Sequence, residues 1–168
     1  MPATLEVAHT WDGVPCEPAA RVALARDGDG LRVRVEAPRR GDPPPAAPPG
    51  PLWGLWEHEV VELFVLGPGE RYAELELGPH GHYLLLALEG RRRVVGRELP
   101  LDVRWTDAGL AWIAETRLPA GVLPPEPWRL NAYAIHGVGE RRRYHAWAPV
   151  PGPAPDFHRL DVFRAVAL

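Results

Sequence analysis

Tryptophan is the residue whose number and spacing ask for an explanation. Seven occur in 168 residues. Trp53 and Trp56 stand together in Pro51-Leu52-Trp53-Gly54-Leu55-Trp56-Glu57-His58, after a proline-rich stretch and directly before the most apolar strand-like run. Trp147 stands in Ala146-Trp147-Ala148-Pro149. Aromatic side chains on loops at the edge of a β-structure can form a ligand platform, because the C–H groups of a sugar ring stack on the negative face of an indole. The alternative for all three is packing, in which they plug the ends of a sandwich. Trp105 and Trp112 flank a turn and alternate with polar neighbours, the pattern of cross-strand packing, and Trp11 and Trp128 open strands.

The ionisable residues narrow the chemistry further. His58-Glu59-Val60-Val61-Glu62 resembles the zinc motif His-Glu-x-x-His, but its fifth residue is Glu and its surroundings read as a strand, whereas the motif needs two histidines on one helical face. On an extended chain Trp56, His58 and Glu62 share a face and Glu59 and Val61 take the other. Trp56, His58 and Glu62 then point into one pocket, unless Glu62 is an inward structural carboxylate paired with an Arg. His80 and His82, in Gly-Pro-His-Gly-His, read as solvated turn histidines. Arg91-Arg92-Arg93 and Arg141-Arg142-Arg143 fall at expected turns, where they serve solubility or donate to a ligand's hydroxyls or carboxylate. Serine and lysine are absent, so neither can be a nucleophile. Cys16 is the single cysteine and has no histidine near it in sequence, which removes disulfides and Cys-based zinc sites. No glycine-rich phosphate loop opens a helix. The reading is a binding domain and not an enzyme.

The net charge of −3 argues against a nucleic-acid binder. No apolar run approaches the roughly 20 residues of a membrane helix. The first residues lack the basic start and apolar stretch of a signal peptide, which gives the expectation of a cytoplasmic protein. All basic residues are Arg, and Asn, Gln and Met are scarce, as in heat-adapted proteins or GC-rich coding. Oligomeric state is not written in the sequence.

The elements that must carry these residues repeat with period two. Leu31 to Glu36 alternates apolar and charged residues and joins Ala20 to Ala25 through Asp27-Gly28-Asp29-Gly30, a hairpin signal. Val60 to Leu66 reads as a buried strand. Tyr72 to Leu77, His82 to Leu88, Val103 to Trp105, Leu110 to Thr116, Trp128 to Ile135, Tyr144 to Trp147 and Val162 to Leu168 follow, divided by Gly/Pro turns. No stretch shows an amphipathic helix. The expectation is an all-β, antiparallel sandwich of the jelly-roll or immunoglobulin-like kind, with residues 1–168 as one domain. Residues 38–51 are so rich in proline that they read as an irregular, exposed loop.

Five segments, in order, resemble family 9 carbohydrate-binding modules and the wider DOMON-like sandwiches. They are Trp56 with Glu57-His58-Glu59-Val60-Val61-Glu62-Leu63-Phe64-Val65; Arg71 to Gly81; Ala114-Glu115-Thr116-Arg117-Leu118-Pro119; Trp128 to Tyr133; and Tyr144 to Pro149 with Phe157 to Phe163. Glu59 replaces an Asp of the family pattern and Arg164 a Gly. The resemblance implies a β-sandwich that binds a carbohydrate or related small ligand, with Trp56 and Trp147 sandwiching a sugar and Glu62 taking hydroxyl hydrogen bonds; Trp53 and His58 are further ligand-binding candidates. It implies no obligatory cofactor. Structural calcium occurs in some members, and haem in some DOMON-like domains, which here would need two of His58, His136, His145 and His158. A ligand-free interaction domain is the third reading.

Overall fold

The computed structural model describes residues 2–168. Among the described residues thirteen strands run in the order β1 (Ala3–Thr10), β2 (Pro15–Asp27), β3 (Gly30–Pro38), β4 (Gly50–Pro51), β5 (Val60–Leu66), β6 (Arg71–Leu77), β7 (His82–Glu89), β8 (Val94–Gly96), β9 (Val103–Asp107), β10 (Ala111–Leu118), β11 (Arg129–His136), β12 (Arg143–Ala146) and β13 (Arg164–Ala165). They form one continuous sheet in the spatial order β4-β7-β6-β5-β11-β12-β1-β2-β3-β10-β9, with β8 beside β7 and β13 beside β11. The pairings are antiparallel except the short β4–β7 pair, which is parallel. The sheet folds back on itself, so that β7-β6-β5-β11 faces β1-β2-β3-β10 across a core that includes Leu5, Val22, Val33, Leu63, Leu75, Leu85 and Trp112. The architecture is a β-sandwich. Its two layers are not separate sheets as the periodicity suggested: they join through β12 and β1, where His9 pairs with Ala146 and Thr10 with His145.

Local sequence accounts for the individual strands. In the β2–β3 hairpin, Asp27 pairs with Gly30 and Gly28 takes a φ of +62°, as a two-residue turn demands. Every residue of β5 is buried. Val61, Leu63 and Val65 face the sandwich core, and Val60, Phe64 and Leu66 face a second cluster on the opposite side of the sheet. That second cluster is covered by chain outside the sheet. Leu55 contributes from a 3-10 turn, and Val150, Phe157, Leu160 and Phe163 contribute from the segment after β12. The Phe157 ring stacks on Tyr133 at 3.9 Å, within 5° of parallel. Buried Asn131 ties the same segment to β11: its amide accepts from Ala148 N–H and donates to Ala148 C=O and Tyr133 Oη.

Several expectations need adjustment. β1, β4 and β8 had no counterpart in the reading by periodicity. The expected final strand shrinks to two residues, because Leu160–Val162 closes into a 3-10 turn. Residues 40–49 have no regular structure and are mostly exposed, yet they are fastened down. His82 is not a solvated turn residue: it is 2 % exposed, and its Nε2 lies 2.9 Å from the Ala47 carbonyl. His80 Nε2 lies 3.2 Å from the Asp42 carbonyl, and Gly137 N–H donates to the Asp42 carboxylate at 2.6 Å. No helix among the described residues is long and apolar enough to cross a membrane.

Candidate functional site

Between the second face of the sheet and its covering segments lies a cavity of about 420 Å³. Its aromatic lining is Trp53, Trp56, Tyr144 and Phe157, and its polar lining includes Glu62, Glu74, Arg92, Arg142 and His158. Strand parity explains the floor. β5 presents Glu62 on the face that carries Val60 and Phe64, and β6 presents Glu74 and Glu76 on the face that carries Tyr72. Glu62 pairs directly with Glu76 across the strands, and Phe64 with Glu74. Three carboxyl groups therefore gather on one patch of sheet, at 2 %, 5 % and 0 % exposure for Glu62, Glu74 and Glu76.

These carboxyls are poorly compensated. Glu74 Oε2 and both Glu76 oxygens have no hydrogen-bond partner among the described residues. Among the described residues His158 is the only cationic-capable side chain within 4 Å of Glu74, and its Nε2 stands at 3.8 Å, too far for a hydrogen bond. Burial pushes all three carboxyls up, Glu74 to about 7, with Arg92 and its neighbour Glu76 holding it down in part. Burial and then the Glu74 charge raise Glu62 well above the usual carboxylate range, and Arg142 opposes the shift. Burial, then Glu62 and Glu74, do the same to Glu76.

His158 is also held by a hydrogen bond. Tyr72 Oη accepts from Arg92 N–H at 2.9 Å and lies 2.7 Å from His158 Nδ1. Burial lowers His158 to about 4, so the ring is neutral at neutral pH. The phenol of Tyr72 is pushed up to about 12, chiefly by burial.

The aromatic wall is held by arginine. Gly54 enters the 3-10 turn Leu55–Glu57 with a φ of +87°, and buried Leu55 anchors the turn. Arg142 donates to the carbonyls of Trp56, Glu57 and Gly137, and through Nε to Tyr144 Oη at 3.1 Å. Its donors are thus committed to holding Trp56 against β12. Trp53 meets Trp56 edge to face at 5.0 Å, and the Arg97 guanidinium lies 3.9 Å over the Trp53 ring. Arg91 and Arg92 both clamp Asp156, which fixes the covering segment.

The structure brings together only some of the residues singled out in the sequence. Trp56, Trp53 and Glu62 line the cavity. Trp56 and Glu62 do so from two elements and not one strand face, because β5 begins at Val60 and Trp56 belongs to the 3-10 turn. His58 ends that turn, half-buried, and is not part of the lining; burial, then His82 and Arg142, lower its imidazole. Trp147 is placed elsewhere. Tyr144 and Ala146 of β12 pack with the cavity-side cluster, so the alternation carries Trp147 toward the sandwich core, where Arg164 lies over its ring at 5.6 Å. Tyr144 and Phe157 supply the aromatic lining beside Trp56. Glu74, Tyr144 and Phe157 were not read as site residues, although the hairpin register already places Glu74 diagonally across from Glu62.

The remaining histidines are dispersed. His136 and His145 stack with centroids 5.1 Å apart and Nε2 atoms 3.0 Å apart, a direct hydrogen bond that leaves no space for an iron between them. Cys16, alone in sequence, does meet a histidine in space: His145 Nδ1 lies 3.5 Å from Sγ. Burial raises the thiol and lowers the imidazole, which keeps this pair neutral. Among the described residues no group of three or more His, Cys, Asp or Glu side chains is placed to hold a metal ion.

The chain is thus a β-sandwich with an aromatic-walled cavity on one sheet face. The fold matches that of a Bacteroides uniformis protein carrying a provisional carbohydrate-binding assignment, with a TM-score of 0.75 and 18 % identity over 98 % of this chain and 84 % of that one. A family 9 carbohydrate-binding module from Caldicellulosiruptor kristjanssonii, solved with cellotriose, superposes more loosely, at a TM-score of 0.48 and 12 % identity over 76 % of this chain and 64 % of its own. By sequence the chain belongs to the UPF0462 family. It is 42 % identical over 170 residues to the UPF0462 protein C4orf33 homolog of Mus musculus, covering 95 % of this chain and 88 % of that protein. It is 41 % identical over 170 residues to UPF0462 protein C4orf33 of Homo sapiens, covering 95 % and 85 %. No family model matches the chain.

Proposed function

We propose that the protein is a non-catalytic binding domain that takes a saccharide or related polyhydroxylated molecule in the cavity beneath Trp56. The observation that carries this reading is the acceptor-rich floor of Glu62 and Glu74 under an aromatic wall. Sugar hydroxyls donate to carboxylates while ring C–H groups stack on indole. The cavity volume of about 420 Å³ lies within the roughly 300–1,000 Å³ of small-molecule sites. The fold shared with the Bacteroides uniformis protein supports the same reading.

The test is a glycan panel read by intrinsic tryptophan fluorescence and titration calorimetry on wild type, Trp56→Ala and Trp147→Phe. Trp56→Ala is expected to lose at least about tenfold in affinity, roughly 1.4 kcal/mol, together with its fluorescence response. Trp147→Phe is expected to bind as wild type, since Trp147 packs away from the cavity. A Trp56→Ala variant that folds and binds normally overturns the assignment of this cavity.

A further inference from the structure

We infer that the ligand carries a primary ammonium group on its hydroxylated frame, seated between Glu62 and Glu74. This rests on the saccharide reading above and goes beyond it by naming the ligand's charge. Most polar groups around the cavity are already occupied. Arg142 gives its donors to three backbone carbonyls and Tyr144 Oη. Arg92 pairs with Asp156 through its guanidinium and with Tyr72 Oη through its N–H. Tyr133 Oη donates to the Phe157 carbonyl, and the Asn131 amide is occupied by Ala148, Ala132 and Tyr133. Arg142 thus has four of its five N–H donors engaged, and the exposed Arg92 is held to Asp156. The buried group of the lining that stays unpartnered is an acceptor, Glu74 Oε2, nine-tenths buried, with both oxygens of Glu76 next to it on β6.

A neutral hydroxyl brings one donor to such a floor. An ammonium brings three donors and a full charge. Diagonal partners on adjacent antiparallel strands stand roughly 7–8 Å apart, close enough for the carboxyls of Glu62 and Glu74 to grip one nitrogen from both sides. The wall suits a cation as well, since indole faces attract positive charge. Arg97 already lies 3.9 Å over Trp53, and Arg142 lies 5.5 Å over Tyr144. An arriving cation would supply the counter-charge that the buried carboxyls lack, and they would give up protons to receive it.

The pH dependence follows from every group facing Glu74. Glu76 on β6 and the Arg92 charge favour its ionisation against the burial that raises it, and Glu62 faces it from β5. Asp156 is neutralised by Arg91 and Arg92, and His158 and Tyr72 are neutral near pH 7. Glu57 and Arg142 complete the charged lining on the Trp56 side. At pH 7 Glu74 ionises readily and an amine keeps most of its proton; at pH 5 Glu74 is protonated and the ammonium loses its partner.

The test compares D-glucosamine, D-glucose and N-acetyl-D-glucosamine by calorimetry on the full chain at pH 7 and pH 5. The expected result is glucosamine binding at least tenfold tighter than either neutral sugar at pH 7, with that preference lost at pH 5 and in Glu74→Gln but kept in Glu74→Asp. Neutral sugars binding as tightly as glucosamine at pH 7, or a preference that survives Glu74→Gln, overturns this inference and leaves the saccharide reading standing. Binding of none of the three overturns both.

Discussion

Replacing Glu74 by glutamine should stabilise the protein at pH 8 and change almost nothing at pH 4.5. Glu74 is 5 % exposed, and its Oε2 has no hydrogen-bond partner among the described residues. Burial raises its carboxyl from the ordinary 4.5 to about 7. A raised carboxylate pKa means that the folded protein holds a proton the unfolded chain has released. Stability is therefore fully present below pH 4.5 and is lost as pH climbs toward 7, at about 1.4 kcal/mol per pH unit. Across that window the loss is about 3 kcal/mol, an upper figure because water reaching the cavity softens it. Glutamine has nearly the same volume and never ionises, so it removes the loss. It also relieves Glu62 and Glu76, which the Glu74 charge pushes up. For a domain of this size about 1 kcal/mol moves Tm by roughly 2–4 °C, so Glu74→Gln should melt several degrees higher at pH 8. Urea unfolding followed by tryptophan fluorescence at pH 4.5, 6, 7 and 8 measures the gap directly. Equal midpoints at pH 8 would refute the reasoning. So would a gap that is the same at pH 4.5, since that would be packing and not ionisation. A stabilising change at a floor carboxyl is what a binding site predicts, because groups kept for a ligand are costly in its absence.

Two further outcomes test the frame around the cavity. Asn131→Ala should cost about 2–4 kcal/mol in urea unfolding, because it strands the buried N–H and C=O of Ala148 and the hydroxyl of Tyr133 without that partner. Shortening the proline-rich segment by deleting Pro43 to Pro48 should lower Tm measurably by calorimetry, since His82 is buried and loses the Ala47 carbonyl it contacts; an unchanged Tm would return the segment to the status of a free loop.

Much of the sandwich was legible in the residues themselves. Alternation marked β3, β6 and β10, the apolar run marked β5, and Asp27-Gly28-Asp29-Gly30 marked the β2–β3 turn, because strand pleat and turn geometry act on neighbours in sequence. The same pleat grouped Trp56 with Glu62, although a 3-10 turn and not a shared strand face brings Trp56 to the cavity. The rest depended on what covers each face. Tyr72 to Leu77 alternates identically whether Glu74 and Glu76 meet water or a second layer, and only the segments that lay Trp56 and Phe157 over that face turn two ordinary glutamates into buried, unpartnered carboxyls. His82 likewise reads as a turn residue until Ala47, 35 positions away, is placed against it. Trp147 directly follows the short strand that carries Tyr144, an odd number of positions away, so the two take opposite faces, and the layer beyond each face decides which aromatic meets the cavity. Sequence determines which residues can share a face; the packing of distant segments determines whether that face is solvent, core or site.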